Sequence, residues 1–398
     1  PSVWRGFDHA AMGADLAAST EGLVVLVADR VLPDGDPATL PPVPPSGEVR
    51  WLFYTSGTTA DPKGARHTDA TIRAAAAGMA ERLALRPDDR HGLVFPFTHI
   101  GGITWLFASL LVGSGNVITE AFDPVATPAL LQREDVTLAG SGTPFHLAYL
   151  AAQRAAPDRP LFPSVRAFPG GGAPKPPQLH HDVKAELGGV GVVSGYGLTE
   201  APLLTMGSVE DDDDALARTE GRPMSGVALR LVTTDGRVAG PGEEGEVRAK
   251  APQVMVGYVD AALDADAFDD EGWFRTGDLG RLEPGGLVVT GRLKDVIIRK
   301  GENISAKEVE DLVYTHPKVA DVAVVGLPDP VLGERCCAVV VCRDAADPLR
   351  LDELVDHLEG TGLMRQKFPE QLELVDALPR NPSGKVVKTA LRDRFGSA

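Results

Sequence analysis

The sequence predicts an α/β protein. A large N-terminal part combines α/β sheets with a small β-rich subdomain, and a smaller C-terminal α+β lid domain follows. Three observations carry this reading. From Val49 to Val193, short apolar runs such as GLVFPF, NVIT, VTLAG and VGVVSG alternate with helical patterns such as WLFASLLVG, PFHLAYLAAQ and PPQLHHDVKAEL, the rhythm of a sheet covered by helices. Between Gly226 and Thr290 the pattern changes to strands and turns (VALRLVTTDG, GEVRAKA, GLVVTG). After Gly291 the order reads strand, helix, strand, strand, helix, strand, which closes as a compact domain. The boundary falls near Lys294, separating residues 1–293 from 294–398.

Taken in order, VRWLFY (Val49 to Tyr54) reads as a buried strand and Ala70 to Leu85 as a helix. The segment between them, YTSGTTADPKGARH, holds Thr55, Ser56, Gly57, Thr58, Thr59, Lys63 and Gly64 within ten positions. In a strand-to-helix turn these donors and the exposed backbone amides can converge on anionic oxygens, so polyphosphate is the expected ligand. The plain alternative is a surface turn. It is not a Walker A loop, because Lys63 follows Pro62, and P-loop kinase or GTPase chemistry is therefore not supported.

Further along, EDDDDA (Glu210 to Ala215) reads as a solvated loop, since its consecutive acids lack the spacing of a calcium loop. His180 and His181 read as surface residues. Cys336, Cys337 and Cys342 share one apolar run, which suggests buried thiols in a strand rather than a disulfide framework or a zinc site.

Composition narrows the partners. Thirty-nine basic against 56 acidic side chains give a net charge of −17, which argues against a general nucleic-acid surface or an anionic membrane. No run of about 18 apolar residues occurs and no secretory leader is visible, so a reducing cytoplasm is the expected location.

Four more segments follow the donor-rich loop: GYGLTE (Gly195 to Glu200), WFRTGD (Trp273 to Asp278), GRLKDVIIRKGENIS (Gly291 to Ser305) and NPSGKVVK (Asn381 to Lys388). In this order the five resemble the adenylate-forming superfamily of acyl-CoA synthetases, luciferases and carrier-protein adenylation domains, from about Val49 to the C-terminus. The resemblance implies an N-terminal adenylation domain and a mobile lid. It further implies ATP, Mg²⁺ and CoA as cofactors and a small-molecule carboxylate as substrate. Members usually carry a substantial segment ahead of the phosphate loop, so an upstream portion is expected to be missing before Pro1.

The same resemblance implies residue roles. Thr55, Ser56, Gly57, Thr58, Thr59 and Lys63 would grip the β and γ phosphates. Glu200 with Thr199 would hold Mg²⁺ and the α-phosphate. Gly195, Tyr196 and Gly197, with the backbone of Gly172, Ala173 and Pro174, would receive the adenine. Asp278 suits a vicinal diol because an ionised carboxylate presents two acceptors, and Arg292 would approach the same sugar or the phosphate. Lys385 would bridge the carboxylate and the α-phosphate, and its place on a lid lets it leave for the second step. Lys294 would be the hinge, with Lys300 and Gly301 lining a pantetheine tunnel.

In PFTHIGG (Pro96 to Gly102), His99 is the candidate gate of the acyl pocket, beside Gly171. The absence of an acid there favours a neutral tail. Gly101, Gly102 and the glycines at 170–172 suggest room. Two departures stand out: Ala60 replaces a usual glycine, and Lys175 stands where an apolar residue is common. The leading expectation is a CoA ligase for a medium-chain, fatty or cyclic monocarboxylate, monomeric or homodimeric. A free-standing loader of a carrier protein and a nucleotide-binding module without turnover are the alternatives.

Overall fold

The computed structural model describes the chain except residues 1, 5, 26–34, 40, 41, 44, 46, 56–61, 141, 173, 174, 301, 382, 383, 397 and 398. Residues Pro1–Pro45 form one compact unit, with paired strands β1 (Val3–Trp4) and β2 (Phe7–Asp8) and helix α1 (His9–Ser19), which Asp8 caps by accepting from the Ala11 amide.

Ser46–Ala398 form the second unit. It begins with β3 (Val49–Thr55) and β4 (Lys63–Thr68), antiparallel with Thr55 opposite Lys63, and only then helix α2 (Asp69–Arg82). This corrects the strand-to-helix turn expected of the donor-rich loop: it joins two strands of a hairpin. The helix starts where Thr68 and Thr71 cap each other's backbone amides, a local signal stronger than the apolar run that follows. Nor is β3 a buried strand. Phe53 points inward, whereas Leu52 and Tyr54 face out, because a two-stranded ribbon covers one face only.

Parallel strands β5 (Arg90–Leu93), β6 (Gly115–Ile118) and β7 (Leu138–Ala139) alternate with α3 (Ile100–Val112), α4 (Ala126–Arg133) and α5 (Thr143–Ala155). A parallel bridge from Leu138 to Ala167 links them to a second sheet. That sheet is β8 (Phe168–Gly171), α6 (Pro177–Leu187), β9 (Val192–Leu198) and β10 (Ala201–Met206), then α7 (Asp213–Arg218) and β11 (Arg222–Pro223), in strand order 11-10-9-8. The antiparallel meander β12 (Ala228–Val232), β13 (Gly245–Lys250), α8 (Asp264–Ala267), β14 (Phe274–Glu283) and β15 (Gly286–Arg292) is the expected β-rich part.

Beyond Lys294 come β16 (Val296–Arg299), β17 (Glu302–Ser305), α9 (Ala306–Val313), β18 (Val319–Asp329), β19 (Gly333–Cys342), α10 (Leu351–Glu359), β20 (Gln371–Leu374) and α11 (Lys388–Phe395). Strand β17 and helix α11 add to the order read from sequence. Cys336 and Cys337 are free and fully buried in β19, and Cys342 is half-buried.

Two other expectations change. His180 is fully buried, its Nδ1 beside the Val192 backbone and its Nε2 facing Asp213, while His181 is exposed. Part of EDDDDA begins α7: Asp212 accepts from the Ala215 amide, and Asp213 pairs with Lys184. Lys175 is buried, and its ammonium donates to the Leu216 and Ala217 carbonyls at the end of α7, at 2.7 and 2.5 Å. Burial pulls that ammonium down to about 8.

Candidate active site

The site is assembled where loops leave the C-terminal ends of β8 and β9, the usual place for a ligand in an α/β sheet. Gly195 and Gly197 stand there because their neighbours leave no space. A Cβ on Gly197 would sit 2.3 Å from the Leu203 nitrogen, and one on Gly171, at φ +156°, 2.8 Å from the Gly195 carbonyl oxygen. Between them Tyr196 is held by a hydrogen bond from its hydroxyl to Asp278 Oδ2 at 2.8 Å. Arg292 Nε meets Asp278 Oδ1 at 3.0 Å from the adjacent strand, where the two residues are register partners. Burial, then the Asp278 charge, drives the Tyr196 phenol well above its usual range, so it stays a donor.

Lys385 projects from a tight turn. Its amide donates to Asn381 Oδ1 at 3.0 Å, the Asn381 amide donates back to the Lys385 carbonyl, and Arg380 donates to the Gly384 carbonyl. Gly384, at φ +83°, lies so close to the start of α5 that a Cβ would sit 2.8 Å from Pro144 Cγ. Burial lowers the Lys385 ammonium from its ordinary value. The Arg292 charge adds to that, while Asp278 and Glu200 oppose it.

Two cavities meet at this lysine. One, of about 350 Å³, is lined by Gly172, Gly195, Tyr196, Gly197, Asp278, Arg292, Lys294 and Lys385 among others. The other, of about 130 Å³, is lined by His99, Gly171, Thr199 and apolar side chains including Phe95, Trp105 and Met206. Lys385 belongs to the walls of both. Among the described residues around the smaller cavity it is the sole charged side chain.

His99 caps α3, its Nδ1 accepting from the Gly101 amide at 3.1 Å, so the ring carries its proton on Nε2. Burial, with Lys385 adding, lowers it to about 4, and the ring is neutral at pH 7. Gly102 does not provide room: a Cβ there would sit 2.2 Å from the Phe97 carbonyl oxygen. Its glycine permits a close helix-to-loop approach.

Thr199 and Glu200 follow in the β9–β10 turn. The Tyr258 hydroxyl donates to Glu200 Oε1 at 2.8 Å, and the Lys63 ammonium stands over the Tyr258 ring, 5.5 Å from its centroid. His67 Nε2 meets the Thr199 carbonyl at 2.9 Å. A carbonyl only accepts, so His67 is the Nε2–H tautomer. Tyr258 and His67 were not among the sequence candidates. His67 closes the donor-rich segment but was given no role there, Tyr258 lies in no recognisable motif, and each finds its partner far along the chain.

Ser56, Gly57, Thr58, Thr59, Ala60, Ala173, Pro174 and Gly301 lie outside the described residues. Thr55 and Lys63 flank the hairpin turn and line neither cavity. Lys300 is exposed at φ +51°, bonded through its amide to the Leu332 carbonyl, and also lines neither.

The chain is similar to known proteins along most of its length. The family described as AMP-binding enzyme matches residues 10–259, and its C-terminal domain matches residues 308–385. A medium-chain fatty-acid–CoA ligase of Escherichia coli is 33% identical over 385 residues, 96% of this chain and 67% of that protein. A salicyl-AMP ligase / salicyl-S-ArCP synthetase of Mycobacterium tuberculosis is 34% identical over 418 residues, 100% of this chain and 72% of that protein. Among solved structures, ATP-bound MatB from Rhodopseudomonas palustris superposes with a TM-score of 0.80 at 29% identity, covering 89% of this chain and 69% of that one. The o-succinylbenzoate CoA synthetase of Bacillus subtilis, in complex with its acyl-adenylate, gives 0.73 at 33% identity over 86% and 68%.

Proposed function

The chain belongs to the AMP-binding enzyme family and is an AMP-forming ligase; from that premise we propose an acyl-CoA synthetase that joins a monocarboxylate to AMP and then to CoA. The observation that carries the proposal is the shared wall at Lys385. Lys385 lines both a cavity bordered by charged side chains, where Tyr196, Asp278 and Arg292 suit a nucleoside, and a smaller one with no other charged side chain among its described residues, which suits an acyl tail.

That junction is where a carboxylate oxygen would attack the α-phosphate as pyrophosphate departs. Two anions must approach there, and a desolvated ammonium fixed in advance stabilises the charge that builds between them. Asp278 would accept from the ribose hydroxyls. Arg292 would counter charge at the sugar or phosphate, and the Thr55 to Lys63 hairpin would hold the departing phosphates. The Glu200 carboxylate and Thr199 hydroxyl are hard oxygen donors of the kind that suits Mg²⁺, which when bound would neutralise phosphate charge. Residues from Lys294 onward would then act as the lid, with Lys294 as hinge and Lys300 and Gly301 on the thiol's path.

The test is pyrophosphate release that requires a carboxylate, followed by thioester formation with CoA. A second reading, transfer to a phosphopantetheinylated carrier protein, is favoured by the relative named as a salicyl-S-ArCP synthetase. The acceptor that yields thioester decides between them. ATP binding with no pyrophosphate from any acid would leave a nucleotide-binding module.

A further inference from the structure

Resting on the adenylation reading, we infer that the substrate is a compact monocarboxylate with an uncharged tail about the size of one ring, and that Trp105 sets this limit. The smaller cavity holds about 130 Å³. An apolar protein cavity of about 150 Å³ takes up benzene. Space for one six-membered ring, or for a short branched chain of similar bulk, is therefore what this pocket provides.

The wall toward the protein interior is firm. Met79, Trp105 and Met206 line the cavity and also belong to a packed core cluster with Leu93, Ala108 and Leu138, so core side chains back this wall. The Trp105 indole is stacked on the buried His91 ring, with centroids 3.5 Å apart and planes 9° from parallel. His91 is in turn wedged against Gly140, where a Cβ would come within 2.8 Å of its Nε2. An indole held on one face and packed among core side chains does not swing aside without cost, since interiors are close-packed.

The wall chemistry selects the tail. Thr104 spends its hydroxyl on the Ile100 carbonyl at 2.8 Å, and no carboxylate lines the cavity among the described residues. An ammonium on the tail would be buried with no carboxylate to pair with, and a second carboxylate would find no cation but Lys385, which the reacting carboxylate takes. Phe95 and Trp105 offer aromatic surface, which adds contact energy for an aryl tail.

The experiment measures kcat/KM for pyrophosphate release with benzoate, cyclohexanecarboxylate, hexanoate, decanoate and hexadecanoate. The first three are expected to exceed decanoate at least tenfold, with hexadecanoate lower still; decanoate or hexadecanoate matching benzoate overturns the inference. Trp105→Ala is expected to raise the decanoate-to-benzoate ratio at least tenfold, and Met206→Ala provides the same readout should the tryptophan variant fail to fold. An unchanged ratio in a folded variant of either overturns the role of this wall. Calorimetry with benzoyl- and decanoyl-sulfamoyl adenosine separates the two levels of the argument. Tighter binding of the benzoyl analogue without pyrophosphate release from any acid would sink the adenylation reading and leave the size limit standing. Tighter binding of the decanoyl analogue would sink the size limit alone.

Discussion

The Tyr258 hydroxyl donates to Glu200 Oε1 at 2.8 Å, tying the segment ahead of α8 to the turn between β9 and β10. A donor on one carboxylate oxygen fixes which way the other faces, and such supporting partners typically change metal affinity or activity by about 10–100-fold. Tyr258→Phe deletes the hydroxyl and keeps the ring beneath Lys63. The expected result is a rise of about tenfold in the Mg²⁺ concentration for half-maximal pyrophosphate release at saturating ATP. An unchanged Mg²⁺ titration would mean that the Tyr258 hydroxyl does not orient a metal ligand.

Lys385→Ala is expected to cost adenylate formation about 10²–10³-fold, the scale of losing one preorganised donor to developing charge. Thioester formation from supplied acyl-AMP should remain near wild type, because the ammonium serves the first step. Single-turnover assays of each half-reaction separate these outcomes, and equal loss in both would contradict a role confined to adenylation.

Asp278→Asn leaves the Tyr196 hydroxyl an acceptor but removes the charge that holds Arg292. Hydrogen bonds to a charged group contribute about 1.5–3 kcal/mol, so KM for ATP should rise roughly 10–100-fold. Wild-type preference for ATP over 2′-deoxy-ATP should shrink in the variant; a preference of unaltered size would mean that Asp278 does not touch the ribose.

Acid should unfold this protein through its histidines. Burial lowers His67, His99 and His146 to about 4 and His91 to about 3, against an ordinary value near 6.5. Between those values the unfolded chain binds protons that the native state refuses. Stability is therefore fully present above about pH 6.5 and falls as the pH drops toward 4. Urea unfolding at pH 7.5 and pH 5 should show the loss, and His146→Asn should flatten it. A midpoint that rises on acidification over this window would refute the assignment.

What was legible in the sequence was local or ordered. The α/β rhythm, the meander and the five motifs each reside in contiguous residues, and the structure gathers Tyr196, Asp278, Arg292 and Lys385 around one cavity. What escaped depends on distant partners. His180 looks like a surface residue until Val192 and Asp213 enclose it, and Lys175 looks misplaced until the end of α7 supplies its acceptors. KGARHT carries too little apolar alternation to announce a strand, so β4 was absorbed into the loop before it. Tyr258 has its partner 58 positions earlier in the chain.

Lys385 supplies the one side chain common to the walls of both cavities, beside the backbone of Gly172, Gly195 and Gly197, so retreat of its turn would widen the passage between them. The two spaces would then act as one. Order of binding and timing of release become properties of the same short hairpin, whose seat against Pro144 tolerates no side chain at Gly384.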